Sequence, residues 1–286
     1  SMLATHNLAP LQAGWFLTGV GGGPAPEGVD LVYLVGVQGD TPTDSSEALR
    51  SAVAAHPGSV WQVGNEPDVS WQSNATPRQY ARVYGQLYRA IKAVDPTARV
   101  AAPAISQPTK LRLRYLDAVL EAYRDLYHEP MPVDIWTVHN GLAPEQEGEW
   151  GVGIPPGLAG EIGRPLNVQD GDRLDLFQSQ LIDFRRWMAD HGYRDRPLIV
   201  TEMGILASSA YGYDTDRVGA FMIGAFDWMA AKDAETGYKG DGNRLVQRWA
   251  WYSVAAEDYP TGNLMDAESG ALTALGQIFA GYQAGE

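Results

Sequence analysis

The sequence predicts an α/β fold, a (β/α)8 TIM barrel with one strand irregular or missing near the N-terminus, and three observations carry that expectation. Short apolar runs alternate with segments of helical periodicity from one end of the chain to the other. That order builds a parallel sheet covered by helices, and its repetition favours closure. The 286 residues, 45% of them hydrophobic, suffice for one domain over residues 1–286 with a filled core, barrels of this kind needing roughly 250 residues. Two of the apolar runs, Val60–Glu66 and Pro197–Glu202, each deliver a glutamate shortly before a residue that weakens or stops a strand, Pro67 and Gly204. The C-terminal tips of parallel strands are where barrels and open sheets place their chemistry.

Taken in order, Ala13–Gly19 reads as a short strand entering the loop Gly21-Gly22-Gly23-Pro24-Ala25-Pro26. This triple glycine is a connector and not a phosphate cradle, because no helix and no lysine follow it. Leu31–Val37 has the length of a buried parallel strand. A helix over Ser45–Ala55 follows, capped by Asp44 or Ser45 and closed by Pro57-Gly58. After the Glu66 strand, the spacing predicts a helix from Thr76-Pro77 to Asp95, Thr serving as N-cap and Pro as first residue. Its apolar stripe is Tyr80, Val83, Tyr84, Leu87, Tyr88 and Ile91. Arg99–Ile105 is a strand, Leu113–Tyr127 a helix and Val133–His139 a strand. Residues 140–172 lose all periodicity and are rich in Gly and Pro around a lone Trp150. A loop that long, leaving a strand tip, is more often functional than idle. Leu174–Ala189 is helical, the Glu202 strand follows, Thr215–Ala231 is helical, Arg248–Val254 is a strand and Thr273–Tyr282 the last helix. The strands number seven, so an eighth is missing at the start or irregular between Gly19 and Gly58.

Composition narrows the function. A net charge of −14, from 35 acidic against 21 basic residues, with no basic block, argues against nucleic acid and anionic membranes as partners. No apolar run reaches the length of a membrane span. There is no cysteine, hence no disulfide, thiolate chemistry or cysteine metal site. Ser1-Met2 reads as an expression scar or a trimmed start, and secretion or the cell surface is expected only if a signal peptide was removed from it. The oligomeric state is not legible. Nine Trp and fourteen Tyr are many for this length. Flat aromatic faces suit sugar rings, although core packing accounts for them equally.

Glu66 and Glu202, 136 positions apart in the sequence, are two carboxylates at two strand tips, the minimum kit for glycoside hydrolysis. If they stand within ~5–5.5 Å, each resists ionisation of the other, so that one stays protonated as a general acid. Asn65 is placed to donate to a sugar 2-hydroxyl. His139 ends its strand near the pocket, where it either holds Glu202 by a hydrogen bond or plays no catalytic part. The histidines at 6, 56, 128 and 191 sit in polar loops or near helix ends without ligand spacing, so neither a metal nor a cofactor is expected.

Asn65-Glu66-Pro67 at one strand tip and Thr201-Glu202-Met203-Gly204 three strands later resemble the pattern of glycoside hydrolase clan A. The resemblance covers most of the chain. It implies a retaining barrel glycosidase with Glu66 on the fourth strand as acid/base and Glu202 on the seventh as nucleophile, the strands ending at Ile105 and His139 being the fifth and sixth. It also implies Trp251, on the eighth strand, as a platform under the sugar. Trp15-x-x-x-Gly19, then Gly64-Asn65-Glu66-Pro67-Asp68 and Gln72-Ser73-Asn74-x-Thr76-Pro77, is similar more weakly to the endo-β-1,3-glucanases of glycoside hydrolase family 128. Many clan members carry an aromatic two residues after the histidine, where this chain has Gly141.

Trp249 and Trp251 share one side of their strand, the later one, nearer the tip, being the expected platform. Trp61 is expected in the core, and Trp15, Trp71 and Trp150 on the active face as subsite walls or as packing. The expected function is a retaining β-glycoside hydrolase acting on a poly- or oligosaccharide. A non-catalytic glycan-binding barrel and a transglycosylase using the same site are the alternatives.

Overall fold

A computed structural model describes residues 7–23, 25–148 and 150–285. His6, the Ser1-Met2 start, Pro24 of the glycine loop and Glu149 lie outside the described residues. Seven parallel strands form one sheet: β1 (Trp15–Gly19), β2 (Asp30–Val35), β5 (Val60–Val63), β6 (Arg99–Ile105), β7 (Ile135–His139), β8 (Leu198–Met203) and β9 (Arg248–Trp251), hydrogen-bonded in that order. A short antiparallel hairpin, β3 (Val37–Gln38) with β4 (Thr41–Pro42), stands apart. Helices α1 (Ser46–Ala55), α2 (Pro77–Val94), α3 (Lys110–Tyr127), α4 (Leu174–Asp190), α5 (Thr215–Met229) and α6 (Ala274–Ala284) complete the alternation. The result is a nearly closed, incomplete (β/α)8 barrel.

Each helix begins where its sequence gives the first turn a partner. Thr76 and Gln79 form a reciprocal capping box with Pro77 at the first position of α2. Ser45, Asp214 and Thr273 cap α1, α5 and α6 through their side-chain oxygens. Helix α3 starts three residues earlier than its apolar periodicity indicates, because Thr109 accepts from the Arg112 backbone and so admits Lys110 to the first turn.

Apolar burial occurs on both faces of the sheet. Val32, Val60, Ala101, Ile135 and Ile199 meet inside the barrel, with Trp15 and Leu17 against them. Facing the helices, the larger core includes Val63, Tyr84, Leu116, Trp136, Phe184 and Phe226. Trp61, fully buried, stacks on Tyr33 with ring centroids 4.6 Å apart. Moving two residues along three strands from the interior apolar layer leads to Gln62, Thr137 and Thr201, all buried, and the next level is the carboxyl rim.

Closure fails at one seam. β1 and β9 are the two ends of the sheet and are not paired with each other. The Arg248–Asp30 ion pair, 2.7 Å, reaches across at the amino-terminal end. A cavity of about 470 Å³ lies at the seam, lined by Trp15 and Leu17 of β1, Glu202 of β8 and Trp249 of β9 among others. No strand among the described residues fills the place of the eighth.

Candidate active site

Glu66 is delivered by a chain that leaves β5 through two left-handed residues. Gly64 has φ +76° and Glu66 itself φ +45°. A proline favours an extended residue before it; the left-handed conformation of Glu66 costs of order 1–3 kcal/mol for a residue with a Cβ and persists only where its surroundings enforce it. They do so here. The Glu66 N–H donates to Ala104 O at 2.8 Å, tying the residue to the tip of β6, and Val69 N–H donates back to Glu66 O at 3.1 Å, closing a turn over Pro67 and Asp68.

Glu202 is aimed by a bulge. β8 pairs Val200 with Val138 and then Glu202 with His139, and on its other edge Val200 with Trp249 and then Met203 with Trp251, so it carries one extra residue relative to both neighbours. Strict alternation from inward-facing Ile199 would turn Glu202 toward the helices. The bulge turns Glu202 toward His139 and Glu66 instead. Gly204 follows because a Cβ there would stand 2.6 Å from the Tyr252 carbonyl oxygen.

His139 lies between the two carboxylates. Its Nδ1 is 3.0 Å from Glu66 Oε1 and its Nε2 is 3.7 Å from Glu202 Oε1, with only 3% of its side chain exposed. Burial alone would push the imidazolium down, but the Glu202 charge, the hydrogen bond and charge of Glu66, and Asp68 behind them hold its pKa up to about 9. Glu202 is raised by its own burial, an effect that His139 opposes and Glu66 reinforces. A slot of about 30 Å³ opens over this trio, bordered by Ser106, Leu206 and Tyr252. Asn65, the residue before Glu66, has its side-chain oxygen buried and unpartnered among the described residues. Ser73 holds the Asn65 backbone, donating its hydroxyl to the carbonyl at 2.6 Å.

The tryptophans separate. Trp71 is 58% and Trp150 45% exposed. Trp71 follows Glu66 in the loop to α2, and its ring lies against Gly153, where an added Cβ would be 3.4 Å from the indole. This brings the Trp71 and Trp150 loops together. Trp15 is corrected: it begins β1, at the amino-terminal end of the barrel, and packs against the interior apolar floor away from the active face. Trp251 is corrected as well. It is 7% exposed, donates its indole N–H to Gly262 O at 2.8 Å and lies near Phe221 and Phe226, so it belongs to the layer between sheet and helices. The aromatic side chain facing the slot is its neighbour Tyr252, which sequence reasoning missed. Because Trp249 and Trp251 share a side, Ala250 and Tyr252 share the other, and the small residue at 250 was the available signal for which side faces inward.

A second group escaped the sequence altogether. Asp68, Arg112 and Glu145 form a fully buried charge cluster behind the site. Only the fold brings these three positions together. The remaining described histidines, His56, His128 and His191, all cap helix C-termini. Among the described residues no group of three or more acidic or histidine side chains is placed to hold a metal ion, and no helix is long and apolar enough to cross a membrane.

No protein-family model matches the sequence, and no curated protein aligns with it significantly. Solved structures do match. The subgroup II endo-β-1,3-glucanase of glycoside hydrolase family 128 from Pseudomonas viridiflava superposes with TM-score 0.63 at 20% identity, covering 96% of this chain and 93% of that one. The subgroup III curdlan-specific exo-β-1,3-glucanase from Blastomyces gilchristii, solved with glucose, gives 0.63 at 19%, covering 96% and 94%. The subgroup I endo-β-1,3-glucanase from Amycolatopsis mediterranei, solved with laminaritriose, gives 0.61 at 18%, covering 96% and 92%. Over nearly its whole length the chain therefore has the barrel fold of the family 128 β-1,3-glucanases.

Proposed function

We propose that this protein is a retaining β-glycoside hydrolase that cleaves β-1,3-glucan. The observation that carries the proposal is the pair of glutamates, from the carboxyl ends of β5 and β8, facing one buried histidine in a single slot. Glu66 protonates the leaving glycosidic oxygen, Glu202 attacks the anomeric carbon to form a glycosyl ester, and Glu66 then takes a proton from the water that releases the sugar. His139 supports the attacking half of this chemistry. A buried carboxyl tends to hold its proton, and the adjacent imidazolium favours the ionised Glu202 that the attack requires. Asn65 receives the sugar 2-hydroxyl, Tyr252 borders the ring, and Trp71 and Trp150 provide stacking faces farther along the chain. The choice of β-1,3-glucan follows the activity of the structures that share the barrel.

A reducing-sugar screen over β-1,3-glucan, β-1,4-glucan, mannan, xylan and galactan tests the reading. Release from β-1,3-glucan alone is expected. Binding of laminari-oligosaccharides with no release from any polymer would leave a glycan-binding barrel, and products longer than the substrate would make the enzyme a transglycosylase.

A further inference from the structure

Arg112, on the first turns of α3, is fully buried, and every nitrogen of its guanidinium has a partner. Nε is 2.6 Å from Asp68 Oδ2 and 2.6 Å from Ser106 Oγ; Nη1 bonds Glu145; Nη2 donates to the carbonyls of Val152 and Gly153 at 2.8 and 3.1 Å. These partners come from two places that matter. Asp68 is the third residue of the turn that Glu66 opens, and its carboxylate also takes the Ser106 N–H and hydroxyl, at 3.1 and 2.7 Å. Val152 and Gly153 belong to the long loop after β7, two and three residues beyond Trp150, and Gly153 is the surface on which Trp71 rests.

A buried ion cluster is an expensive way to gain stability, since desolvation of the charges offsets most of their attraction. A planar fork that fixes several acceptors at once is, by contrast, well suited to holding geometry. We propose that Arg112 is a positioning residue: it locks the strained turn carrying Glu66 to the loop carrying the aromatic wall, so that a glucan chain seated on Trp71 and Trp150 presents its leaving oxygen to Glu66. This rests on the glycosidase reading for its catalytic consequence, and on the contacts of Arg112 for the link itself.

The test is Arg112→Lys, which keeps the charge and loses the fork. Misplacement of a catalytic group by about 1 Å costs about 100-fold, so kcat/KM on laminari-oligosaccharides is expected to fall by about that factor. Cleavage of a 2,4-dinitrophenyl β-glucoside, whose leaving group needs no proton, should change little. A purely structural arginine would lower both in parallel. The second readout does not need activity: the His139 ring nitrogens, followed by 15N NMR through a pH titration, report whether Glu66 still faces Nδ1. In Arg112→Lys the His139 titration should move to lower pH. Parallel loss on both substrates, or a His139 titration identical to that of the starting protein, overturns the proposal. If the starting protein cleaves neither substrate, the glycosidase reading falls and the NMR titration alone decides the positioning role. Should Arg112→Lys not fold, Ser106→Ala removes the hydroxyl shared by Asp68 and Arg112 and is expected to shift the same titration in the same direction by a smaller amount; no shift would overturn the proposal.

Discussion

His139 Nδ1 stands 3.0 Å from Glu66 Oε1, and the opposite nitrogen of the same ring faces Glu202. One buried imidazole thus touches the electrostatics of both carboxylates, and its protonation is a measurable property of the folded state.

The pKa of His139 is held up to about 9 against an ordinary value of 6.5. A folded-state value above the unfolded one means that the native protein binds the extra proton. The stabilisation is fully present below pH about 6.5 and is lost as pH rises through about 9, amounting to roughly 3 kcal/mol at 1.36 kcal/mol per unit. Urea unfolding of the protein and of His139→Gln at pH 6 and pH 9.5 reads this directly. The stability gap between them should shrink by about that amount at the higher pH; a gap independent of pH would mean that folding leaves the His139 pKa unshifted, and a gap that widens would mean that His139 is neutral in the fold.

Trp251 and Tyr252 are neighbours with opposite duties. Trp251→Ala opens a cavity against Phe221 and Phe226 and should cost about 3–5 kcal/mol of stability. Tyr252→Ala should leave stability nearly unchanged and raise KM or lower kcat on short oligosaccharides. Thermal unfolding beside kinetics separates the two, and an exchange of the two outcomes would restore Trp251 as the platform.

Trp150→Ala should weaken binding of long oligosaccharides by about 1–3 kcal/mol, taking the range for stacking of aromatic side chains on planar rings. Its 45% exposure leaves little packing to lose, so the melting temperature should barely move. Unaltered titration calorimetry with laminarihexaose, or a large loss of melting temperature, would make Trp150 structural.

What could be read before the fold was known divides along physical lines. Strands and helices were legible because burial on one face or two leaves a periodic trace, and caps such as Thr76 with Pro77 announce themselves locally. The two glutamates were legible because each ends an apolar run beside a breaker. Trp251 was misplaced because alternation tells which residues share a side and not which side faces the barrel. Trp15 was misplaced because an aromatic at a strand end is equally consistent with either end of the barrel. The bulge that turns Glu202 inward, and the joining of Asp68, Arg112 and Glu145, depend on pairings across the fold and leave no local trace.

The roles of the two carboxylates are separable by chemical rescue. Glu66→Ala should still cleave dinitrophenyl glucosides and, with azide, yield a β-glucosyl azide. Glu202→Ala should be inactive on every substrate and yield an α-glucosyl azide on rescue. The converse pattern would exchange acid/base and nucleophile.

The anomeric configuration of the first product tests the central claim most directly. Proton NMR of a laminari-oligosaccharide digest, recorded before mutarotation, should show the new reducing end appearing first as the β-anomer, because two displacements at one carbon, first by Glu202 and then by water, restore the starting configuration. Initial appearance of the α-anomer would mean that water attacks directly, and would contradict the assignment of Glu202 as nucleophile.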